Sequence, residues 1–552
     1  VTKQSISAEQ LEALRKLGQQ QNLLDKAITY VSPTLGARRL AARAQLAMVG
    51  GYTGARIDRA TLASWRPGAG SATADIIRDL PMLRERSRDQ MRNAPVACGA
   101  LESTVTHVVG TGLTCKPTIN PTWLGLTPEQ ARAWEDDAHR RFVAWAASVD
   151  CTVNRRLNFF GLQSLAFRSA WESGDAFVLT PEVPRGGRRQ LALQLVEADR
   201  VCNPGRRGNT PTLIDGIELD ADSGEPLVAH IARHHPGDPI VSNQEWQART
   251  FRGAATGRPN VLQIMRHLRP DQVRGVPWVA PILEPLKQIN RYTDAELNSA
   301  VTNAIFSVFI KMDPNAFQDI FEDDARESIV KQATSWSGEM ESGKAVNLLP
   351  GESIESATPG RPNAQFDPFL TSVLRQIGMA LQLPYEVLVM HFQSSYSAAR
   401  GALLMAWRTF RAWRDLLSTQ LCQPVYELWL SKEVAEGRIR APGFFNDPIT
   451  RAAWCSAQWI GDGPGSIDPA KEVAAAASRV DLGISTLDAE SILHDGIPWA
   501  DKERQRAIEV QTQTANGTLP AARIAATQPV TSSAGRTNGS GGDEDESQDE
   551  EE

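Results

Sequence analysis

The sequence predicts an α+β, mainly helical protein that carries a small embedded β module and ends in a disordered C-terminal tail. Three observations predict it. Apolar residues recur at helical spacing over most of the chain, strand-like alternation broken by turn residues is concentrated in 190–269, and residues 516–552 lack core-forming runs. At 552 residues the chain is too long for one ordinary core, so several domains are expected.

Residues 1–24 read as a polar, amphipathic helical arm without the apolar stretch of a signal peptide. The chain then loosens into the Gly-rich RPGAGSATAD, and from Asp75 to Val109 the pattern is helical again, with Met91, Val96, Leu101 and Val108 among polar residues. In LTPEQARAWEDDAHRRFVAWAAS, Thr127 is the expected N-cap, with Pro128 and Glu129 in the first turn. RLNFFGLQSLAFRSAWESGDAFVL reads as helix, a Gly174-Asp175 turn, then strand. Within 190–269, short apolar runs are separated by DSGE, PGDP and GRPN turns.

Residues 278–311 read as one long helix that keeps Ile282, Leu286, Ile289, Leu297, Ala300, Ala304 and Val308 close to one face. A mixed region follows, with a helical FEDDARESIVKQA and a strand in KAVNLLPG. DPFLTSVLRQIGMALQL is a second helix, closed by Pro384. A polar loop then leads into a helix with two Trp, a Phe and four Arg. Beyond Gly443 two or three short helices are expected, with Ser466, Thr486 and Asp488 as caps and Gly483 and Gly496 as stops.

The net charge of −7 is misleading: the last ten residues, DEDESQDEEE, hold eight acids, and the remainder sums to +1. That is far from the strongly basic surface of a tight DNA binder. The longest smooth apolar stretch, SAVTNAIFSVFI, has 12 residues, short of the ~20 a membrane span needs. Six scattered cysteines (98, 115, 151, 202, 422, 455) form no CxxC pair, which argues for isolated thiols in a reducing compartment.

No catalytic motif stands up. GEMESGKA (Gly338 to Ala345) resembles a phosphate-binding loop but puts Ala345 where a Ser or Thr must hold Mg²⁺, and it runs into a strand-like AVNLL. His230 and His234 have a metal-ligand spacing only if helical, and no third ligand is near in sequence. VVGTGLTCKP lacks the third Gly of a dinucleotide site and reads as a Gly-bent connection. The pairs Asp136-Asp137 and Asp323-Asp324 read as solvated helix faces. No enzyme, cofactor or metal is therefore expected.

In HFQSSYSAARGALLMAWRTFRAWRDLL, which starts at His391, Leu403, Ala406, Phe410, Trp413, Leu417 and Leu421 fall on one stripe at 100° per residue. Arg400, Arg408, Arg411 and Arg414 fall on an adjacent face with Trp407 among them. The stripe continues past Pro424 into VYELWL, so the helix reads as a buried strut with Arg stems packed beside it.

Five segments in this order resemble the portal proteins of tailed double-stranded DNA bacteriophages, of the lambda-like group. They are RDLPMLRERSRDQMRNAPVACGALESTVTHVVGTGLTCKP, LVEADRVCNP, RGVPWVAPILEPLKQINRYTDAELNSAVTNAIFSVFIK, LRQIGMALQLPYEVLVMHFQSSYSAARGALLMAWRTFRAWR and GSIDPAKEVAAAASRVDLGISTL. The resemblance implies the portal fold: a wing over 25–277 that includes the β module, a first stem helix at 278–311, a clip at 312–366 and a second stem helix at 367–383. It further implies a tunnel loop at 384–397, a wing spine helix at 398–442, and a crown at 443–515 before the acidic tail. By position, His391, Phe392, Gln393, Ser394, Ser395 and Tyr396 would face DNA. Arg400, Trp407, Arg408, Phe410, Arg411, Trp413 and Arg414 would serve spine packing and subunit contacts.

The implied function is a non-enzymatic ring, a dodecamer by family analogy, at one capsid vertex of a virion assembled in the host cytoplasm. Its implied partners are further copies of the chain, double-stranded DNA in the channel, the terminase large subunit, the major capsid protein and scaffold, and head–tail adaptors, with no membrane. The alternatives are a nucleotide-driven DNA-translocating enzyme using Gly338 to Lys344, or another head–tail connector component.

Overall fold

The computed structural model describes residues 23–36, 38–39, 60–65, 67–239, 244–304, 308–312, 352–356, 365–392, 395–464 and 468–518. The chain divides into two compact units, Val1–Ser71 and Ala72–Glu552. Helices Leu23–Val31 and Ala60–Ala63 belong to the first; the second is mainly helical with small antiparallel sheets. The arm at 1–22, most of the expected clip with its Gly338-to-Ala345 loop and Asp323-Asp324, and the tail beyond 518 lie outside the described residues.

Two prolines set the first helices. Helix α1, Leu80–Asn93, stops at Ala94, which Pro95 forces into extended backbone (φ −109°, ψ 113°), and Pro95 then opens α2, Pro95–Val108. Gly110 and Gly112 follow at φ +57° and +115°. A Cβ on Gly112 would lie 2.5 Å from Phe160, so VVGTGLT is a tight connection into strand β1, Thr114–Pro117. Helix α3, Pro128–Ala147, opens on the expected Thr127, which forms a capping box with Gln130. Helix α4, Phe159–Ser173, ends at Gly174 (φ +94°). Asp175 is not a turn residue as the sequence suggested; it begins β2, Asp175–Leu179, whose five residues are all buried.

β2 is the centre of a three-stranded antiparallel sheet with β3, Gln194–Val196, on one side. Strands β4 (Ile217–Leu219), β5 (Pro226–Ala232) and β6 (Trp246–Thr250) join the short Leu213–Ile214 in a four-stranded meander. β7, Val261–Met265, returns to the other edge of β2. Phe177, Val196, Val201, Ile217, Ala229 and Ile231 form a separate small core between these sheets. The β module of the sequence reading is therefore present, and it starts fifteen residues earlier, at β2.

Helix α5 runs only Leu283–Ala304, after a 3₁₀ turn at Ala280–Ile282. The single helix expected over 278–311 is corrected: Val308–Met312 is β8, paired antiparallel with β9, Glu352–Ser356. The run Val-Phe-Ile is β-branched and aromatic, and a pairing partner overrides its helical spacing. Leu297 is 63% exposed while Leu286 and Ile289 are buried, so among the described side chains of α5 the core holds those near its start. Helix α6, Phe366–Leu381, packs beside α5, with Tyr292 stacked 5.5 Å from Phe366. It closes as a Schellman turn: Gln382 is left-handed, and Leu383 N–H donates to Gly378 O at 2.8 Å.

The expected loop at 384–397 is shorter than read. Tyr385–Leu388 is a helical turn, and Tyr396 begins α7, Tyr396–Leu417. The expected spine helix at 398–442 is also interrupted. Ser418–Cys422 form a π-helical turn before α8, Gln423–Ala435, and helix ends there. Pro424 has no N–H to give the preceding turn, so the backbone widens ahead of it. Gln420, in the widened turn, exchanges two hydrogen bonds with the Met265 backbone and locks β7 to the helix.

A short helix Pro448–Trp454 and strand β10, Ala457–Ile460, come next; β10 pairs with β1. Helices α9 (Pro469–Asp481), α10 (Leu487–Asp495) and α11 (Trp499–Ala515) close the unit. Thr486 caps α10 and Gly496 ends it at φ +78°, as read, whereas α9 is capped by Asp468; Ser466 lies outside the described residues. Asp488 is not the cap of its own helix. It accepts from the Trp499 N–H at the start of α11 and pairs with Lys116 at 2.7 Å. The main core gathers around Phe142 of α3, whose ring meets Trp145, Phe159, Tyr426, Trp429 and Trp459 at 5.1–6.0 Å. Among the described residues no helix is long and apolar enough to cross a membrane.

Candidate functional site

Helix α7 divides its side chains as its period requires. Ala406, Phe410, Trp413 and Leu417 are buried, and the stripe runs on through Leu421, Val425 and Tyr426 into α8. Phe410 stacks on His107 of α2 at 4.9 Å and Trp413 meets Trp278 at 5.0 Å.

The arginines separate into two groups. Arg414 turns inward: Nε donates to Val108 O at 3.0 Å, and Nη2 to His107 O at 3.0 Å and Asp462 O at 3.1 Å. It thereby satisfies the last carbonyls of α2, where the helix dipole favours a cation. Its guanidinium lies 5.3 Å over Trp407. Burial lowers the Arg414 pKa, with Asp462 opposing and Arg411 adding to the shift. Arg400 faces Glu472 of α9 at 3.7 Å. Arg408 and Arg411 are exposed, and neither has an ion-pair partner among the described residues.

Between α7 and helices α9–α11 lies a cleft of about 900 Å³. It brings together Arg400, Trp407, Arg408, Phe410 and Arg411, while Trp413 stays in the core and Arg414 lines a neighbouring depression. Of the residues expected to face DNA, the described His391, Phe392 and Ser395 form no part of that cleft. His391 and Phe392 are exposed just after the left-handed Met390 (φ +53°), and His391 N–H is tied to Glu386 O. Ser395 is exposed, Tyr396 is already the first residue of α7, and Gln393 and Ser394 lie outside the described residues.

Other chemistry is used up internally. The His230 imidazole bonds the Glu218 carboxylate at 2.6 Å, and the backbone carbonyl of His234 accepts from Gln244. Glu197, Asp199 and His235 converge as metal ligands would, but the Arg88 guanidinium already sits on Asp199 and 3.3 Å from Glu197. All six cysteines are free. Burial pushes the Cys151 and Cys455 thiols up to about 12, which leaves them un-ionised and unreactive.

Sequence reasoning missed a buried charge cluster. Arg274 and Asp175 are fully buried, and Arg84 and Asp215 complete the group. No local signal marks it, because its members come from four separate stretches of chain.

The phage portal protein, lambda family, matches residues 58–414 of this chain. The portal protein of Escherichia phage N15 is 26% identical over 499 residues, covering 84% of this chain and 90% of that protein. Portal protein B of Escherichia phage lambda is 24% identical over 487 residues, with the same coverage of each chain. A solved chain from the neck of a native GTA particle aligns over 76% of this chain and 94% of its own length, at 12% identity and a TM-score of 0.40.

Proposed function

Since this chain belongs to the lambda family of phage portal proteins, we propose that its copies close into a ring at one capsid vertex, a dodecamer, through which double-stranded DNA passes during packaging, retention and ejection. The match over 58–414, which takes in α1 through most of α7, carries this reading. The ring is assembled in the host cytoplasm. It docks the terminase large subunit, the major capsid protein and scaffold, and head–tail adaptors. Its role is structural rather than catalytic, and the motor is a separate protein.

The physics of the single chain supports this. A closed ring of identical subunits needs two different complementary faces on each. Helices α9 and α11 bury no residue among the described ones, and Val473 of α9, Leu482 and Ile484 just after it, and Ile508 of α11 are each more than half exposed. Neighbouring copies would cover such apolar groups. The near-neutral body suits a channel, because each phosphate contact made by a basic side chain would be multiplied around the ring and would hold DNA in place. We assign His391, Phe392 and the following residues through Tyr396 to the channel lining, and Arg400, Arg408 and Arg411 to contacts outside the chain's own core. Electron microscopy of the purified protein is expected to show rings with a central hole; a monomer that persists at high concentration would overturn the proposal.

A further inference from the structure

The cleft between α7 and α9–α11 is basic at its rim and apolar within. Leu403, Trp407, Val473, Leu487 and Trp499 are among its walls, and seven Arg or Lys side chains line it against two Glu. Five of the seven, Arg400, Lys471, Arg479, Lys502 and Arg506, have a carboxylate in salt-bridge range. Arg408 and Arg411 have none among the described residues, and Arg411 also repels the half-buried Arg414. Each of these two guanidiniums, on adjacent turns of one helix, can take a carboxylate bidentately, which suits an acidic segment.

The chain holds such a segment within reach. Residues 543–552 carry eight acids and no base. Arg506, on the cleft wall, precedes the last described residue, Thr518, by twelve positions, roughly 18 Å if helical throughout. The 25 positions from Thr518 to Asp543 can extend to ~85 Å. Reach is therefore ample, and the charge is opposite.

We propose that the acidic segment 543–552 of this chain docks on Arg408 and Arg411 at the rim of this cleft. The docked tail would screen the basic face from other polyanions, DNA included. The inference concerns a surface outside the expected channel lining and does not depend on the portal reading.

The test uses a fluorescein-labelled peptide of sequence GGDEDESQDEEE, the full chain, and the chain ended at Gly542, with binding read by anisotropy at rising salt. The shortened chain is expected to bind the peptide at least tenfold more tightly than the full chain, whose own tail competes. Added salt should weaken that binding steeply. R408E/R411E in the shortened chain should lose at least tenfold, while R188E/R207E, at two exposed arginines elsewhere, should stay within twofold. Equal peptide binding by the full and shortened chains, or no loss in R408E/R411E, overturns the proposal. An equal loss in R188E/R207E does the same. Binding of a 12-base-pair duplex but not the peptide, dependent on Arg408 and Arg411, would make the cleft a DNA face instead.

Discussion

Arg274 and Asp175 meet at 2.7 Å with both side chains fully buried, though 99 positions separate them in sequence. Arg274 spends its remaining donors on Val201 O, Ala198 O and the Asp215 carboxylate, and Arg84 donates to the second oxygen of Asp175. The cluster joins α1, the start of β2 and the loops before β4 and α5. Removing one partner strands a buried charge, which typically costs about 3–5 kcal/mol. Arg274→Met should therefore lower stability by about that amount in urea unfolding at fixed protein concentration. A loss under 1 kcal/mol would show that the cluster relaxes or hydrates.

The same pair predicts a pH dependence. Burial alone would raise the Asp175 pKa, but the charges of Arg274 and Arg84 outweigh it and hold it below the ordinary carboxylate value. A depressed folded-state pKa stabilises fully above the unfolded value, near ~3.9, and the benefit fades as pH falls through the lower folded value. Asp175→Asn should thus be destabilising at neutral pH, with the gap to the parent closing only below about pH 4. Thermal melts from pH 7 to pH 3 would read this directly, and a gap that closes near pH 6 would contradict it.

Two glycines should respond in opposite directions. A Cβ on Gly275 would lie 1.9 Å from Gly174 O, so Gly275→Ala must push two backbones apart; overpacking of this kind costs about 1–3 kcal/mol. Gly99, inside α2, has nothing within 4 Å of its missing Cβ. Gly99→Ala should raise stability by about 0.4–1 kcal/mol by restricting the unfolded chain. Denaturation midpoints of the two variants should bracket the parent's.

Arg414 should resist conservative replacement. Its planar fork reaches the carbonyls of His107, Val108 and Asp462 at once, which a Lys ammonium cannot reproduce. Hydrogen bonds to a charged group contribute about 1.5–3 kcal/mol, so Arg414→Lys and Arg414→Ala should both destabilise within that range. Faster amide exchange at residues 109–112, just past the end of α2, would mark the loss as local.

How far the sequence could be read follows from the range of each interaction. The α7 stripe and the Thr127 cap were legible because helical period and capping act over a few residues. Val308 was misread because its spacing fits a helix and its strand partner lies beyond position 350. Leu297 shares a face with Leu286 and Ile289 and is nonetheless exposed, because period gives a face but not whether anything covers it. Asp175 looked like a turn residue because Gly174 precedes it, and only the distant Arg274 reveals its role. In the candidate site, period separated Arg408 and Arg411 from the core, but the cleft beside them needs α9–α11 to fold back. No pattern within α7 encodes that.

The channel assignment makes a prediction of a different kind. His391, Phe392 and Ser395 are exposed, so substitution there should change stability by less than about 0.5 kcal/mol. Ser395→Lys would add one cation per subunit at the proposed lining. If that position faces DNA, every copy in the ring contributes, and DNA retention should strengthen and become steeply salt-dependent, because each phosphate contact releases a counterion. Arg408→Lys, which conserves charge away from that lining, should leave the salt dependence unchanged. Rings of each variant can be compared by duplex DNA binding between 50 and 300 mM salt and by packaging yield. A Ser395→Lys ring with the parent's salt slope and packaging yield would remove 391–396 from the channel and leave the ring proposal standing.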